Sequence, residues 1–387
     1  MTSNIPHTLL FKQNQQKITL CMIVKDEANV ITRALDSVRD FVDFYCICDT
    51  GSTDDTQKTI LDYFKKHDLK GAVYDRPWVN FSHNRNECFE LAKGTSDYIM
   101  TLDADEVVVS IINDVPDTSY KIRELPTFET DMVYGKTILI NDKGQELRYV
   151  RHQFFKNGLD WVWKHPLHEF CSKEGRFSTS VLDDFGVIPT SDGARAKDPN
   201  KYKKDALTIE TYLLDNEETS RDLFYLAQSY GDANLPDEAV NAIDRALKKL
   251  TWDQEIYVAH LRRGRWREKV GESFDEVMSD YIAAFNTIPT RSEAILELIR
   301  GFSQKDQINN IILFGEIALN NPEPHNTTLF VEADAYAWRI KAYVAIAYCK
   351  KGEKSKANPH IIELLDDPRV PNTEKENIRN TVYLSTR

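Results

Sequence analysis

Residues 18–24 read ITLCMIV, and residues 25–38 read KDEANVITRALDSV. The first is an unbroken apolar run of strand length. In the second, Val30, Ile31, Ala34, Leu35 and Val38 recur at helical spacing, which predicts a helix over Ala28–Val38. Outward from this pair the alternation continues. Phe44–Cys48 (FYCIC) predicts a second buried strand, closed by the turn residues Asp49-Thr50-Gly51-Ser52, with Ser52 as the cap of the next helix. Thr53–Lys66 predicts that helix, with Ile60, Leu61 and Phe64 inward. Ala72–Tyr74 predicts a short strand, Ser82–Ala92 a helix capped by Ser82, and Tyr98–Leu102 (YIMTL) a fourth strand. Strands alternating with helices of this length imply right-handed crossovers and a mostly parallel, doubly wound α/β sheet. Such sheets bind ligands beyond the carboxyl ends of their strands. At those ends stand Lys25-Asp26-Glu27, then Asp49, then Asp103-Ala104-Asp105-Glu106.

Past Asp131 the texture changes to strands, Met132–Ile140 and Arg148–Phe155. An aromatic, histidine-rich loop follows, Trp161-Val162-Trp163-Lys164-His165-Pro166-Leu167-His168-Glu169. Ser191–Asn200 is polar and carries Gly and Pro, which marks a linker. These signals divide the chain into an α/β domain over 1–198 and an all-α domain over 199–387. The second half contains a repeat. Leu226-Ala227, Tyr230, Ala239, Ile243 and Ala246 match Val344-Ala345, Tyr348, Ala357, Ile361 and Leu364. The first copy resembles a tetratricopeptide repeat, and Tyr281–Pro289 has the look of the end of a third unit.

Composition bounds the function. The 387 residues carry a formal net charge of −12, which repels a phosphate backbone and argues against a nucleic-acid polymer as partner. A small phosphorylated ligand is still open, since one Arg, a metal ion or a helix N-terminus can hold a phosphate locally. No apolar run approaches the ~20 residues of a membrane span. The first residues, MTSNIPHTLLFKQNQQK, lack the pattern of a secretory signal. The six cysteines are scattered, and Cys46 and Cys48 are too close together for a zinc knuckle. Reduced core thiols in a cytoplasmic compartment are the expectation.

Asp103-x-Asp105 follows a strand, so both carboxylates point to one side and can approach one cation. Hard oxygen ligands suit Mg²⁺ or Mn²⁺. Asp49 at a strand end can accept a hydrogen bond from a base N–H or ribose hydroxyl, or it can cap a helix. Arg85 opens a helix, where its charge opposes the dipole, so it calls for an acid or a phosphate as partner. Trp161 and Trp163 suit either a sugar face or the core.

The strings CMIVKDEANVITRALDSV, CDTGSTDDT, WVNFSHNRNE and YIMTLDADE together resemble the family 2 inverting glycosyltransferases of the GT-A fold, over about residues 17–170. The resemblance implies a doubly wound GT-A (Rossmann-like) sheet ahead of the helical-repeat domain. It implies metal-dependent transfer of a sugar from a nucleotide-diphosphate sugar, UDP first among them, to a glycan, peptide or protein acceptor. Val24, Lys25 and Glu27 would lie against the base and ribose, and Asp49 would contact the base. Arg85 and Ala104 would line the nucleotide end. Asp103 would stand between ribose and metal, and Asp105 would bind the metal. The later stretch RHQFFKNGLDWVWKHPLHE resembles a family segment ending in His-Glu, which makes His168 a metal ligand or diphosphate contact and Glu169 the general base. Asp131 and Glu106 are lesser candidates for that base. The departures, Asp26 for the commoner Asn and Leu167 for Val, are conservative. The helical half would recruit the acceptor or form a homodimer. The rival from another class is a non-catalytic interaction scaffold with a vestigial transferase domain.

Overall fold

The computed structural model describes residues 16–112, 115–119, 121–140, 146–324 and 329–384. Residues 1–15, most of the stretch that lacks a secretory-signal pattern, lie outside them. The alternating half forms as the apolar spacing dictates. It runs β1 (Ile18–Val24), α1 (Ile31–Val38), β2 (Phe44–Asp49), α2 (Thr56–His67), β3 (Gly71–Asp75), α3 (Phe81–Ala92) and β4 (Tyr98–Thr101). All seven residues of β1 are buried. Leu20, Met22 and Val24 join one apolar cluster with Ile31, Leu35 and Ile60. Cys21 and Ile23 join another with Cys88, Phe89 and Trp163. The period of two thus sends alternate side chains to two covered faces, which is why the strand reads as continuously apolar.

The rest of this half comprises β5 (Glu106–Ile112), β6 (Val115–Asp117), β7 (Met132–Ile140), β8 (Glu146–Lys156) and β11 (Thr179–Pro189). A separate pair lies between the last two, β9 (Val162–Lys164) with β10 (Phe170–Ser172). Here the pairings β4–β8, β5–β11, β5–β6 and β9–β10 are antiparallel. The strand order of the large sheet is β3-β2-β1-β4-β8-β7-β11-β5-β6, with β12 (Val331–Glu332) pairing β8. Among the described pairings the parallel ones are those of β3-β2-β1-β4. The sheet is therefore mixed, a correction to the mostly parallel expectation. The first crossovers are helical and force parallel pairing, whereas β4 meets β8 and β5 meets β11 antiparallel.

Local expectations also need amending. Leu61 is 52% exposed rather than inward. The cap of α3 is Asn80, whose side chain accepts from the His83 N–H, and not Ser82. Ser52 caps nothing, because its hydroxyl accepts from the Asp26 N–H.

The described chain divides into two compact units, residues 1–136 with 151–197, and residues 137–150 with 198–387. The second unit is a run of helices: α4 (Lys201–Asp215), α5 (Ser220–Asp232), α6 (Pro236–Leu247), α7 (Asp253–Lys269), α8 (Phe274–Thr287), α9 (Glu293–Gln304), α10 (Ile308–Leu319), α11 (Ile340–Lys351), α12 (Lys354–Asp366) and α13 (Asn372–Leu384). The matched repeat residues fall on α5–α6 and on α11–α12. Ala227, Ala239, Ile243, Val344, Ala345 and Ala357 are all within 1% of full burial. Capping boxes Thr219/Asp222 and Ser273/Glu276 start α5 and α8.

Candidate active site

The carboxyl ends of β1, β2 and β4 lie side by side, because Val24 pairs with Asp49 and Cys21 with Thr101. The loop after β1 and the loop after β2 are stitched together. Thr53 N–H donates to Asp26 Oδ1 at 2.7 Å, Glu27 N–H to Thr56 Oγ1 at 2.7 Å, and Ala28 N–H to Asp54 Oδ2 at 3.2 Å. This explains the polar string that follows β2. Its side chains take the backbone donors of residues 26–28, and Asp26 itself sits in left-handed backbone at φ 57°.

Asp49 is 1% exposed. Its Oδ1 accepts from the N–H groups of Gly51 and Ser52 at 2.8 and 2.7 Å. Its Oδ2 is buried with no hydrogen-bond partner among the described residues. A buried carboxylate oxygen without a donor is costly, so it asks for an N–H or O–H from elsewhere.

Arg85, the fifth residue of α3, is the hub. Its Nε donates to Glu169 Oε1 at 2.5 Å and its Nη2 to Asp103 Oδ1 at 2.8 Å. The guanidinium lies 5.4 Å from the Trp163 ring centre. Two carboxylates raise its pKa further above the ordinary arginine value, against the pull of burial. Burial likewise opposes the charge on Asp103. Arg85 and Arg151 overcome it and hold that carboxyl below the usual range.

Asp105 adjoins Glu27. A Cβ on Gly193 would lie 3.0 Å from Asp105 Oδ2 and equally 3.0 Å from Glu27 Oε2. Glu27 is pushed up to about 7, by burial first, with Asp105 and Asp103 adding repulsion against the Ala194 N–H and Lys197. A divalent cation would relieve this crowding of acids, and the donor set is of the hard-oxygen kind that Mg²⁺ and Mn²⁺ take. Yet the ligand atoms of Asp103, Asp105 and His168 do not lie within 4.8 Å of one another. Among the described residues that closeness belongs to Cys21, Cys46 and Cys88 alone. Those three thiols are buried and donate to backbone carbonyls between the sheet and α3. All six cysteines are free and buried.

The other expected residues are placed as follows. Val24 and Ala104 are buried and Lys25 is exposed. His168 is half-buried in left-handed backbone at φ 50°, on the β9–β10 loop beside Glu169. Glu106 is not positioned as a base. Both its oxygens are held by Arg151, and Oε2 also accepts the Asp103 N–H. Asp131 stands at the opposite end of β4. Its carbonyl accepts the N–H of Lys156, the residue paired with Tyr98, and its carboxylate accepts from Ser178. Trp161 and Trp163 are 6% and 7% exposed and belong to the core.

Sequence reasoning missed the segment after β11. Ser191–Asn200 is not a free linker over its first half. Thr190 donates its N–H and hydroxyl to the Asp105 carbonyl, Asp192 pairs with Arg33 at 2.6 Å, and Ala194 N–H reaches Glu27. Arg195 lies 4.9 Å from the Phe81 ring centre. The run of Asp, Gly and Ala resembles any surface loop and carries no local signal of its place beside Glu27 and Asp105.

The model for glycosyl transferase family 2 matches residues 19–184. Residues 19–184 form a family 2 glycosyltransferase domain. Every expected site residue from Val24 to Glu169 lies within it. A glycosyltransferase of Rickettsia felis, named as uncharacterized, is 31% identical over 99 residues, which are 26% of this chain and 32% of that protein. A TPR repeat-containing protein of Synechococcus elongatus is 38% identical over 94 residues, 24% of this chain and 21% of that one. The chain thus spans a fifth to a third of the length of the curated relatives it matches. Among solved structures, S. aureus TarS 1–349 in complex with UDP-GlcNAc gives a TM-score of 0.35 at 13% identity, covering 71% of this chain and 90% of that one. MamA gives 0.35 at 14%, covering 47% and 92%. The region after residues 19–184 is, from Lys201 onward, a run of helices, α4 to α13. Among the described residues no helix is long and apolar enough to cross a membrane.

Proposed function

We propose that the chain is an inverting glycosyltransferase, dependent on Mn²⁺ or Mg²⁺, that moves a sugar from a nucleoside-diphosphate sugar to a glycan, peptide or protein acceptor. UDP heads the candidate nucleotides. One observation carries the reading: Glu27, Asp49, Arg85, Asp103 and Asp105 converge on the carboxyl edge of β1, β2 and β4 within the family 2 residues. The unpartnered Asp49 Oδ2 suits an N–H of the base. Asp103 and Asp105, with His168 on the facing loop, would hold the cation, and water and diphosphate oxygens would complete its shell. The cation supplies positive charge for the leaving diphosphate. Glu169 takes the acceptor's proton as that oxygen or sulfur attacks the anomeric carbon, one displacement that inverts the centre. Arg85 fixes where the Glu169 carboxylate lies.

The test is a panel of nucleotide sugars read by mass spectrometry with and without Mn²⁺. Metal-dependent hydrolysis or transfer is expected with one donor, and Asp105→Ala should remove it. Glu169→Gln should keep donor binding and lose transfer, because it keeps a hydrogen-bonding side chain and removes the base. If no donor shows metal-dependent binding or turnover, the scaffold reading with a vestigial transferase domain takes its place.

A further inference from the structure

Five of the six cysteines belong to one apolar cluster with Phe89 and Ala92 of α3, and three of them meet at one point. Cys21 on β1 and Cys46 on β2 are register partners in the parallel ladder, and Cys88 faces them from α3. The three sulfurs lie within 4.8 Å of one another, and Cys88 Sγ is 3.9 Å from Cys46 Sγ. All three residues are at most 2% exposed. The period of two aims both strand thiols at the helix, as it aims Leu20 and Met22 at the opposite face.

Filling the core asks for no such convergence of sulfurs, and the bonds the thiols make are weak. Cys21 and Cys46 both donate to the Cys88 carbonyl, at 3.7 and 3.6 Å. Cys88 is shared between the Met22 and Cys46 carbonyls, at 3.7 and 3.3 Å. An S–H is a weak donor, so giving up these bonds costs little. Spacing, ligand count and burial select the occupant. A metal–thiolate bond of about 2.3 Å puts the sulfurs of a trigonal centre about 4.0 Å apart. The Cys46–Cys88 separation of 3.9 Å matches that. Soft thiolates select Cu⁺, Zn²⁺ and iron–sulfur clusters. The last two call for four ligands, or for three and an open position that water fills. Among the described residues no fourth His, Cys, Asp or Glu atom joins the group, and burial shields it from bulk water. Cys48, two residues on in β2, stands outside it. Cu⁺, a closed-shell soft ion, accepts three thiolates in a plane.

We propose that Cys21, Cys46 and Cys88 form a three-coordinate thiolate site for Cu⁺ that ties β1 and β2 to α3. Binding changes the oxidation state of neither copper nor sulfur. The thiols release protons to solvent as the copper–sulfur bonds form. Cys88 stands three residues beyond Arg85 on the same helix, so the bound ion clamps that helix and takes no part in transfer. The proposal does not depend on the transferase reading.

The test is anaerobic titration of the reduced full chain with Cu⁺ held by bicinchoninate. The ion is offered both to the folded chain and during refolding from urea, because the thiols are shielded. The chain should withdraw one Cu⁺ from the coloured competitor, and its melting temperature should rise. X-ray absorption should show a shell of three sulfurs at about 2.3 Å. Cys21→Ser, Cys46→Ser and Cys88→Ser should each lose that shell and the rise in melting temperature. Cys48→Ser and Cys349→Ser should bind as wild type. Should a Ser variant fail to fold, the sulfur count of the wild-type chain decides alone. Several results would overturn the proposal: no Cu⁺ bound under either condition, a shell with a fourth sulfur or with nitrogen or oxygen, or Zn²⁺ taken in preference when both ions are offered. So would wild-type binding by the folded Cys21, Cys46 or Cys88 variants, loss of binding in Cys48→Ser, or a Cys46–Cys88 disulfide found by mass in place of bound copper.

Discussion

Arg85 shows how one residue converts a sequence oddity into a site. A cation on the first turn of a helix opposes the helix dipole by up to about 1 kcal/mol, and as the fifth residue of α3 Arg85 stands just past that turn and meets only part of that cost. Here two carboxylates more than offset that cost, one on Asp103 and one on Glu169. The side chain is 10% exposed and Glu169 12%, so both charges depend on the pairing. Arg85→Ala should destabilise the fold by about 2–3 kcal/mol, less than for a fully buried pair because Asp103 is 39% exposed. It should also abolish turnover, since neither carboxylate keeps its place. Arg85→Lys should recover part of the stability and little of the activity, because a single ammonium cannot bridge Nε and Nη2 positions. Urea denaturation and a turnover assay on the two variants separate these outcomes. A Lys variant as active as wild type would remove the bridging role. The oddity was visible in the string FSHNRNE, but its two partners, 18 and 84 residues away, were not visible as partners.

At the scale of elements, the segment after β11 shapes the acidic site as much as the strands do. Gly193 leaves room where a Cβ would press on Asp105 and Glu27 at 3.0 Å. Gly193→Ala should cost about 1 kcal/mol or less in stability, because the segment can shift outward. It should weaken Mn²⁺ and donor binding several-fold, because shifting the segment moves the Thr190 bonds that hold the Asp105 backbone. Titration calorimetry of wild type and variant checks this, and unchanged affinities would separate the segment from the site. The contrast with β1 explains what sequence reading can see. A strand covered on both faces announces itself in seven consecutive letters, as does the helical spacing of Ile31, Ala34, Leu35 and Val38. A loop that folds back onto Glu27 from 167 residues away carries no local pattern. The same holds for Glu106. It looked like part of the acidic cluster, and only its pairing with Arg151 reveals a structural task.

The whole molecule combines two kinds of order, and each was legible to a different degree. The parallel strands and the helical pairs are written in short-range periodicity. The strands β8 and β11 meet β4 and β5 across long stretches of chain, so their order could not be inferred from spacing. The grouping of residues 137–150 with the helical unit was equally out of reach, since it rests on contacts such as Arg148 with Glu323. Two separate cores predict separable damage. Gly301 on α9 sits against the Phe274 ring of α8, where a Cβ would overlap it. Alanine gains about 1 kcal/mol of helix propensity, but overpacking a tight contact costs about 1–3 kcal/mol. The overlap should win, so Gly301→Ala should lower the stability of the helical unit by about 1–2 kcal/mol. Residues 16–136 and 151–197 keep their own core, so donor and Mn²⁺ binding should persist in that variant. Limited proteolysis should then cut first within 198–384, with calorimetric donor binding intact at the same temperature. Joint loss of both would mean that the two cores unfold as one cooperative body.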